Sequence, residues 1–179
     1  MSVTISAVLS GLSRAAALFG GLCLLLVMTL VVISVTGRAL SFLGLGPIPG
    51  DYELAQYGTA LAVFCFLPWC QLRRGHVSVD IMASVLGFRR DAALSTFYDL
   101  CMTAVSALIL WRLWAGMVDK KTYFETSYIL QIPVWMAYAV CVPFAALLVV
   151  VSAWTAYRSL RDAMTESGGK PGQTGGVGR

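Results

Sequence analysis

Four long apolar stretches, separated by short polar segments, dominate this chain of 179 residues. They cover residues 15–36, 54–72, 92–118 and 129–157. At about 1.5 Å of rise per residue, a helix of each length can cross a hydrocarbon core of roughly 30 Å. The sequence therefore predicts an all-α integral membrane protein with four transmembrane helices. They form one membrane domain over residues 1–163, and the polar segment 164–179 is expected to be a disordered tail.

Most of the 13 lysines and arginines flank the same ends of these spans. Lys and Arg in short loops are retained in the cytoplasm, so we expect both termini to be cytoplasmic. The cytoplasmic set is Arg14, Arg73, Arg74, Arg89, Arg90, Arg158, Arg161, Lys170 and Arg179. The opposite set is Arg38, Lys120 and Lys121. The distribution predicts an N-in, C-in topology.

The segment between the second and third spans, residues 76–88, has the pattern of an amphipathic helix. Its apolar residues recur at helical spacing, and arginine pairs that include Arg73 and Arg74 bracket it. This pattern predicts a helix that lies in the membrane interface and contacts lipid headgroups. His76 and Asp80 belong to it, and we expect them to hold it against the second span or a partner. The alternative is that both are solvated residues on its polar face.

Asp99 and Arg112 are the charged residues that lie clearly inside a span. They are 13 residues apart on one helix, roughly 20 Å along its axis, so they cannot pair with each other. Asp99 lies near the level of Arg73 and Arg74, whereas Arg112 can reach the periplasmic boundary or pair with Glu53. Structural ion pairs between helices explain both residues better than an ion or proton relay.

Charged and aromatic residues also mark the periplasmic ends of the spans. Asp51 and Glu53 open the second span, where the helix dipole favours negative charge. We further expect Glu53 to pair with Arg38 or Arg112 at this boundary. Trp135, at the start of the fourth span, suits the headgroup belt.

Small residues at four-residue spacing provide candidate packing faces on two of the spans. On the first span they are Gly11, Ala15, the pair Ala16 and Gly20, and the pair Ala17 and Gly21. On the fourth span they are Ala137, Cys141, Ala145, Val149 and Ala153. We expect neighbouring helices to approach closely at these positions.

The composition leaves little room for catalysis or for a cofactor. The chain is 58% hydrophobic and 12% charged, so no soluble catalytic domain fits beside the spans. A single histidine cannot supply the two axial ligands of a membrane haem or the ligand set of a zinc site. Attraction to anionic lipid explains the basic residues without nucleic acid. We therefore predict neither an enzyme nor a cofactor site.

The stretch Gly75-His76-Val77-Ser78-Val79-Asp80, directly after the second span, resembles a motif of one transporter family. That family is the small membrane subunit (DctQ type) of tripartite ATP-independent periplasmic transporters, and the similarity covers residues 15–160. Arg38 and Glu53 match an arginine and a glutamate common at the ends of its first two spans. The start of the fourth span around Trp135 is also similar. Tyr52 departs from the pattern, since many members carry a carboxylate there.

The resemblance implies a scaffold subunit of a secondary, sodium-coupled transporter in the bacterial inner membrane that imports a small organic acid. Its partners would be a large multi-span permease, which carries the sodium coupling, and a periplasmic substrate-binding protein. One alternative is the small subunit of a tripartite tricarboxylate transporter, which shares the topology but not the motif. Others are a redox membrane anchor and a self-sufficient exporter that would depend on Asp99.

Overall fold

The computed structural model describes the backbone of residues 2–73 and 88–167, and the side chains of residues 6–73 and 96–161. It contains four long helices: α1 (Ser2–Ala39), α2 (Asp51–Leu72), α3 (Phe88–Thr122) and α4 (Val134–Ser167). A short 3-10 helix, Ser41–Leu43, lies in the connection between α1 and α2. The interfacial helix predicted at residues 76–88 falls outside the described residues except for its last position, and so does most of the predicted tail.

Three of the helices are long and apolar enough to cross a membrane. The suitable stretches are Ser6–Ala39, Thr96–Thr122 and Val134–Arg161, with mean hydropathies of 2.7, 1.5 and 2.4. The prediction of an all-helical membrane protein is thereby confirmed. The 22-residue α2 is not among these stretches, because polar residues such as Gln56, Thr59 and Gln71 lower its hydropathy. The fourth crossing therefore remains a prediction.

Helices α1 and α2 are antiparallel and approach each other at two glycines. A Cβ atom on Gly20 would lie 2.6 Å from the Cβ of Cys65, and one on Gly58 would lie 2.3 Å from a methyl carbon of Val27. Both distances are shorter than a carbon–carbon contact allows. The two backbones can pack this closely only because these positions lack side chains.

The buried face of α1 repeats with alternating spacings of four and three residues. This is the spacing of a left-handed coiled-coil seam. Its buried or half-buried members are Leu9, Ser13, Ala16, Gly20, Cys23, Val27, Leu30 and Ser34. The predicted packing face is thus correct at Ala16 and Gly20 and wrong at Gly11 and Ala15, which are exposed.

Helices α3 and α4 are also antiparallel, and polar contacts join their buried faces. The Ser159 hydroxyl donates a hydrogen bond of 2.5 Å to the Asp99 carboxylate, and the Ser106 and Ser152 hydroxyls lie 2.8 Å apart. The buried seam of α4 consists of Cys141, Ala145, Leu148, Ser152, Thr155 and Ser159. The predicted stripe with four-residue spacing is wrong at Ala153, which is exposed, because the seam alternates steps of four and three.

The four helices form a row in the order α1, α2, α4, α3. Helix α2 packs between α1 and α4, whereas α3 contacts α4 alone among the described helices. Helices α1 and α4 meet only over a small area, where the rings of Phe19 and Phe144 stack with centroids 6.2 Å apart. Helix α2 has a helix on each side, and its Gln71 amide donates a hydrogen bond of 3.3 Å to the Thr155 hydroxyl of α4. Gln56 and Thr59, in contrast, are exposed.

Neighbouring glycines on α1 provide a test of this packing. We predict that Gly20→Ala destabilises the folded chain by about 1–3 kcal/mol, because Cys65 and the backbone carbonyl of Ala62 must move away. Gly21→Ala is the matched control, since nothing lies within 4 Å of its added Cβ. Thermal unfolding of the purified protein in detergent measures both. Equal midpoints for the two variants would contradict the close approach.

Candidate functional site at the loop end

The connections between α1 and α2 and between α3 and α4, residues 40–50 and 123–133, lie at the same end of the molecule, here called the loop end. Asp51, in the first turn of α2, faces α1 there. Its carboxylate accepts hydrogen bonds from the Ser34 hydroxyl and the Tyr52 backbone N–H, and it lies 3.5 Å from the Arg38 guanidinium. The Ser34 bond, with the Tyr52 N–H and the Arg38 charge, holds the pKa of Asp51 below its ordinary value.

Glu53, two residues later, faces the connection between α3 and α4. Its carboxylate accepts a hydrogen bond from the Ser127 hydroxyl and two from backbone N–H groups, at 2.9 Å from Ile129 and 3.1 Å from Leu130. The Ser127 hydroxyl, followed by these N–H groups, lowers the pKa of Glu53. Glu53 therefore binds the connection as an anion with three donors. We call Glu53, Ser127, Ile129 and Leu130 the Glu53 clamp.

The connection that the clamp holds is a tightly folded loop. Ser127 N–H donates to the Ile132 carbonyl at 2.8 Å, and Val134 N–H donates to the Glu125 carbonyl at 3.0 Å. Leu130 packs against Gly50, where an added Cβ would lie 2.5 Å from its side chain. Gly50 also has a φ of 79°, which glycine adopts without strain. The sequence assigned residues 129–133 to the fourth span, but they belong to this loop, and α4 begins at Val134.

The contacts at the loop end differ from the ion pairs that the sequence predicted. Arg38 contacts Asp51 rather than Glu53. The described partners of Glu53 are loop donors, so its predicted pairing with Arg38 or Arg112 is not found. Arg112 is exposed, and no hydrogen bond or ion pair joins it to another residue in the described part of the chain. Both carboxylates lie in the first turn of α2, as predicted, but the neighbours predicted for Glu53 were wrong.

Cations and aromatic rings flank the clamp. The Lys121 ammonium lies 5.6 Å from the centre of the Trp135 ring, a cation–π contact between the end of α3 and the start of α4. Lys120 pairs with Glu125 at 2.5 Å. The loop also exposes large apolar and aromatic side chains, namely Tyr123, Phe124, Tyr128 and Ile129. The ordered loop therefore exposes a surface that is rich in aromatic side chains.

The remaining candidate residues lie at the opposite end. Asp99 is 3% exposed and accepts the hydrogen bond from Ser159 described above, so it joins α3 to α4. The Arg73 guanidinium stacks 4.7 Å above the ring of Trp69. Arg74, His76 and Asp80 lie outside the described residues. The structure thus brings together Arg38 with Asp51 and Glu53 with the loop, but no larger cluster of the predicted residues.

A cavity of about 380 Å³ lies between α1, α2 and α4, and its walls are apolar. Val27, Leu30, Leu61, Met136 and Val140 are among the residues that line it. A site for a small charged substrate needs a few convergent polar groups, and this cavity does not offer them. Within the described ranges, no three His, Cys, Asp or Glu side chains are placed to hold a metal ion.

Comparison with known proteins gives one match. A family model for the DctQ component of tripartite ATP-independent periplasmic transporters matches residues 27–162, which is most of the chain. The chain belongs to the DctQ family. This confirms the resemblance and, because DctQ proteins are transporter components, places the chain among transport proteins rather than enzymes. No curated protein and no solved structure matches it.

The match separates this chain from the alternatives considered above. It identifies a small membrane subunit of a tripartite system, not the corresponding subunit of a tricarboxylate transporter. The three apolar helices agree with a multi-pass protein of the inner membrane.

Sequence reasoning missed the two serines that complete these contacts. Ser34 is a buried polar residue within a charge-free span, and a polar residue at such a position could have predicted a contact with a neighbouring helix. Ser127 gave no comparable signal, because serine is common in loops. Nor could the sequence show that one carboxylate would accept two backbone N–H groups from residues far along the chain.

The clamp predicts a specific pattern of amide hydrogen exchange. Glu53→Gln keeps the size of the side chain but removes its charge, so we expect Ile129 and Leu130 amides to exchange about tenfold faster. Glu125→Gln is the matched control, because Glu125 pairs with Lys120 and not with these amides. Hydrogen exchange read by mass spectrometry measures the difference. Unchanged rates in Glu53→Gln would show that the clamp does not order the loop.

The lowered pKa of Glu53 predicts a dependence on pH. Because its folded-state pKa lies below the ordinary value of 4.5, the clamp stabilises the protein fully above that pH. The contribution is lost as pH falls through the folded-state pKa. The difference in thermal midpoint between the wild type and Glu53→Gln should therefore be constant from pH 7 to about 5 and shrink at lower pH. A difference that grows on acidification would contradict this assignment.

Proposed function

We propose that this DctQ chain is the scaffold subunit of a sodium-coupled importer of a small organic acid. It packs on the large permease subunit and helps to dock the periplasmic binding protein. The family match over residues 27–162 carries this proposal. The apolar cavity supports it, because a cavity without convergent polar groups does not suit a small charged substrate. We expect the sodium site in the large subunit and no cofactor in this chain.

We propose that all four helices cross the membrane, with both termini in the cytoplasm. Helix α2 lies beside α1 from the Asp51–Ser34 contact to the Cys65–Gly20 contact. These contacts span 14 residues of α1, about 21 Å, so a membrane that α1 crosses also surrounds α2 over most of its thickness. The arginine distribution then supports the orientation.

In this orientation the loop end faces the periplasm, and we propose that it contributes to the docking surface for the binding protein. Phe124 and Tyr128 are 86% and 95% exposed, which suits residues that become buried against a partner. The Glu53 clamp supports this role, because a loop already ordered loses less conformational entropy on binding.

Co-purification tests the scaffold role. With the native gene cluster expressed and this chain tagged, we expect a large permease to co-purify at one-to-one stoichiometry in mild detergent. Cells that lack only this chain should lose sodium-dependent uptake and regain it on complementation. A chain that purifies alone as a stable homo-oligomer, with uptake intact in its absence, would contradict the proposal.

A second experiment tests the docking surface. In the complex, Phe124→Ala should weaken capture of the binding protein. The control is Phe97→Ala, because Phe97 is also exposed but lies at the opposite end.

A further inference from the structure

Arg112 is placed where a charged side chain is least expected. It lies within the apolar stretch Thr96–Thr122, ten residues before the end of α3, about 15 Å along the axis. Its side chain is exposed, on a helix that contacts only α4 among the described helices. A guanidinium in hydrocarbon is unfavourable unless it is paired or reaches water. The Arg112 guanidinium therefore needs a partner, and the described part of the chain does not provide one.

The nearby carboxylates of this chain do not pair with Arg112. Asp51 contacts Ser34 and Arg38, and Glu53 is held in the clamp. Glu125 pairs with Lys120. Asp119 lies two helical turns beyond Arg112 on α3, roughly 10 Å along the axis. None of these groups is placed to neutralise Arg112.

Helix geometry also disfavours escape to the nearer surface. The Cα–Cβ bonds of an α-helix tilt towards its N-terminus, and long side chains follow that direction. In α3 this direction leads away from the loop end, although the loop end is the membrane boundary nearer to Arg112. To reach the loop end, the Arg112 side chain would have to point against this direction. A partner at the depth of Arg112 removes the conflict.

Arg112 belongs to a continuous stripe on the side of α3 that faces away from α4. Its members recur at steps of four and three residues, so they lie on one face of the helix. Its members are Cys101, Val105, Leu108, Arg112 and Ala115, here called the α3 outer stripe. Val105 and Leu108 are 51% and 58% exposed. By contrast, α1 carries no charge between Arg14 and Arg38, so its outer face is suited to lipid.

We propose that the large permease subunit packs on the α3 outer stripe and that a membrane-embedded carboxylate of the permease pairs with Arg112. The inference rests on the proposed function, because it requires a membrane partner. Charge complementarity selects this occupant. A carboxylate neutralises the guanidinium at its own depth, whereas hydrocarbon chains leave it unpaired.

The pairing has opposite consequences for insertion and for assembly. Arg112→Leu removes a charge from a membrane span, so the chain alone should reach the membrane in equal or greater amount. The same change leaves the permease carboxylate buried without its partner, so the amount of permease that co-purifies should fall about tenfold or more. Arg112→Lys keeps the charge and should retain most of the complex. Arg14→Leu removes an exposed arginine from α1 and is the control.

Photo-crosslinking locates the contact directly. A photo-crosslinking amino acid at Leu108, one turn from Arg112, should crosslink to the permease in the intact complex. The same amino acid at Leu25, 63% exposed on the charge-free span of α1, should label lipid. In a second arm, Arg112→Glu should lose the complex, and replacing the crosslinked permease carboxylate by arginine should restore it.

The outcomes separate this inference from the function on which it rests. Wild-type yield of the complex with Arg112→Leu, or lipid as the only product from Leu108, would overturn the inference and leave the scaffold role intact. Crosslinks to the permease from Leu25 but not from Leu108 would also overturn it, by placing the permease on α1. Absence of any permease with the wild-type chain would instead overturn the proposed function.

Discussion

Polar side chains that meet between helices set the register on which the fold depends. Hydrocarbon offers no hydrogen-bond partner, so a hydroxyl or carboxylate within a span must find one on a neighbouring helix. On α3 and α4, Asp99 meets Ser159 and Ser106 meets Ser152, with the same separation of seven residues on each helix. Sliding one helix by a single turn would break both contacts. The two contacts therefore fix the alignment more sharply than apolar packing alone.

At the loop end, one short segment of α2 serves two neighbours. Asp51 and Glu53 are two residues apart, so they point about 200° from each other around the helix. One carboxylate binds α1 and the other binds the loop between α3 and α4. That division marks α2 as the helix that joins the α1–α2 pair to the α3–α4 pair. It contacts both α1 and α4.

The sequence predicted the helix ends well and the lateral neighbours poorly. As expected, Arg38 lies in the last turn of α1, Asp51 and Glu53 lie in the first turn of α2, and Trp135 lies at the start of α4. The pairing of Arg38 with Glu53 was wrong because sequence position reports height in the membrane, not which helix stands beside which. Nor could it reveal the order α1, α2, α4, α3, since helices that are adjacent in the chain need not be adjacent in space. The extent of α4 was wrong for a related reason, because apolar residues 129–133 resemble a span until Glu53 is known to bind their backbone.

The row of helices has a consequence for where transport can take place. A helix with its side chains is roughly 10 Å across, and the described helices form a row in which one apolar cavity lies between α1, α2 and α4. That cavity has apolar walls, so it offers no set of convergent polar groups to a charged solute. Under the proposed function, the route for substrate lies in a partner protein or at its boundary with this chain. The contribution that we propose for this subunit is to remain fixed in the membrane beside the part of the transporter that moves.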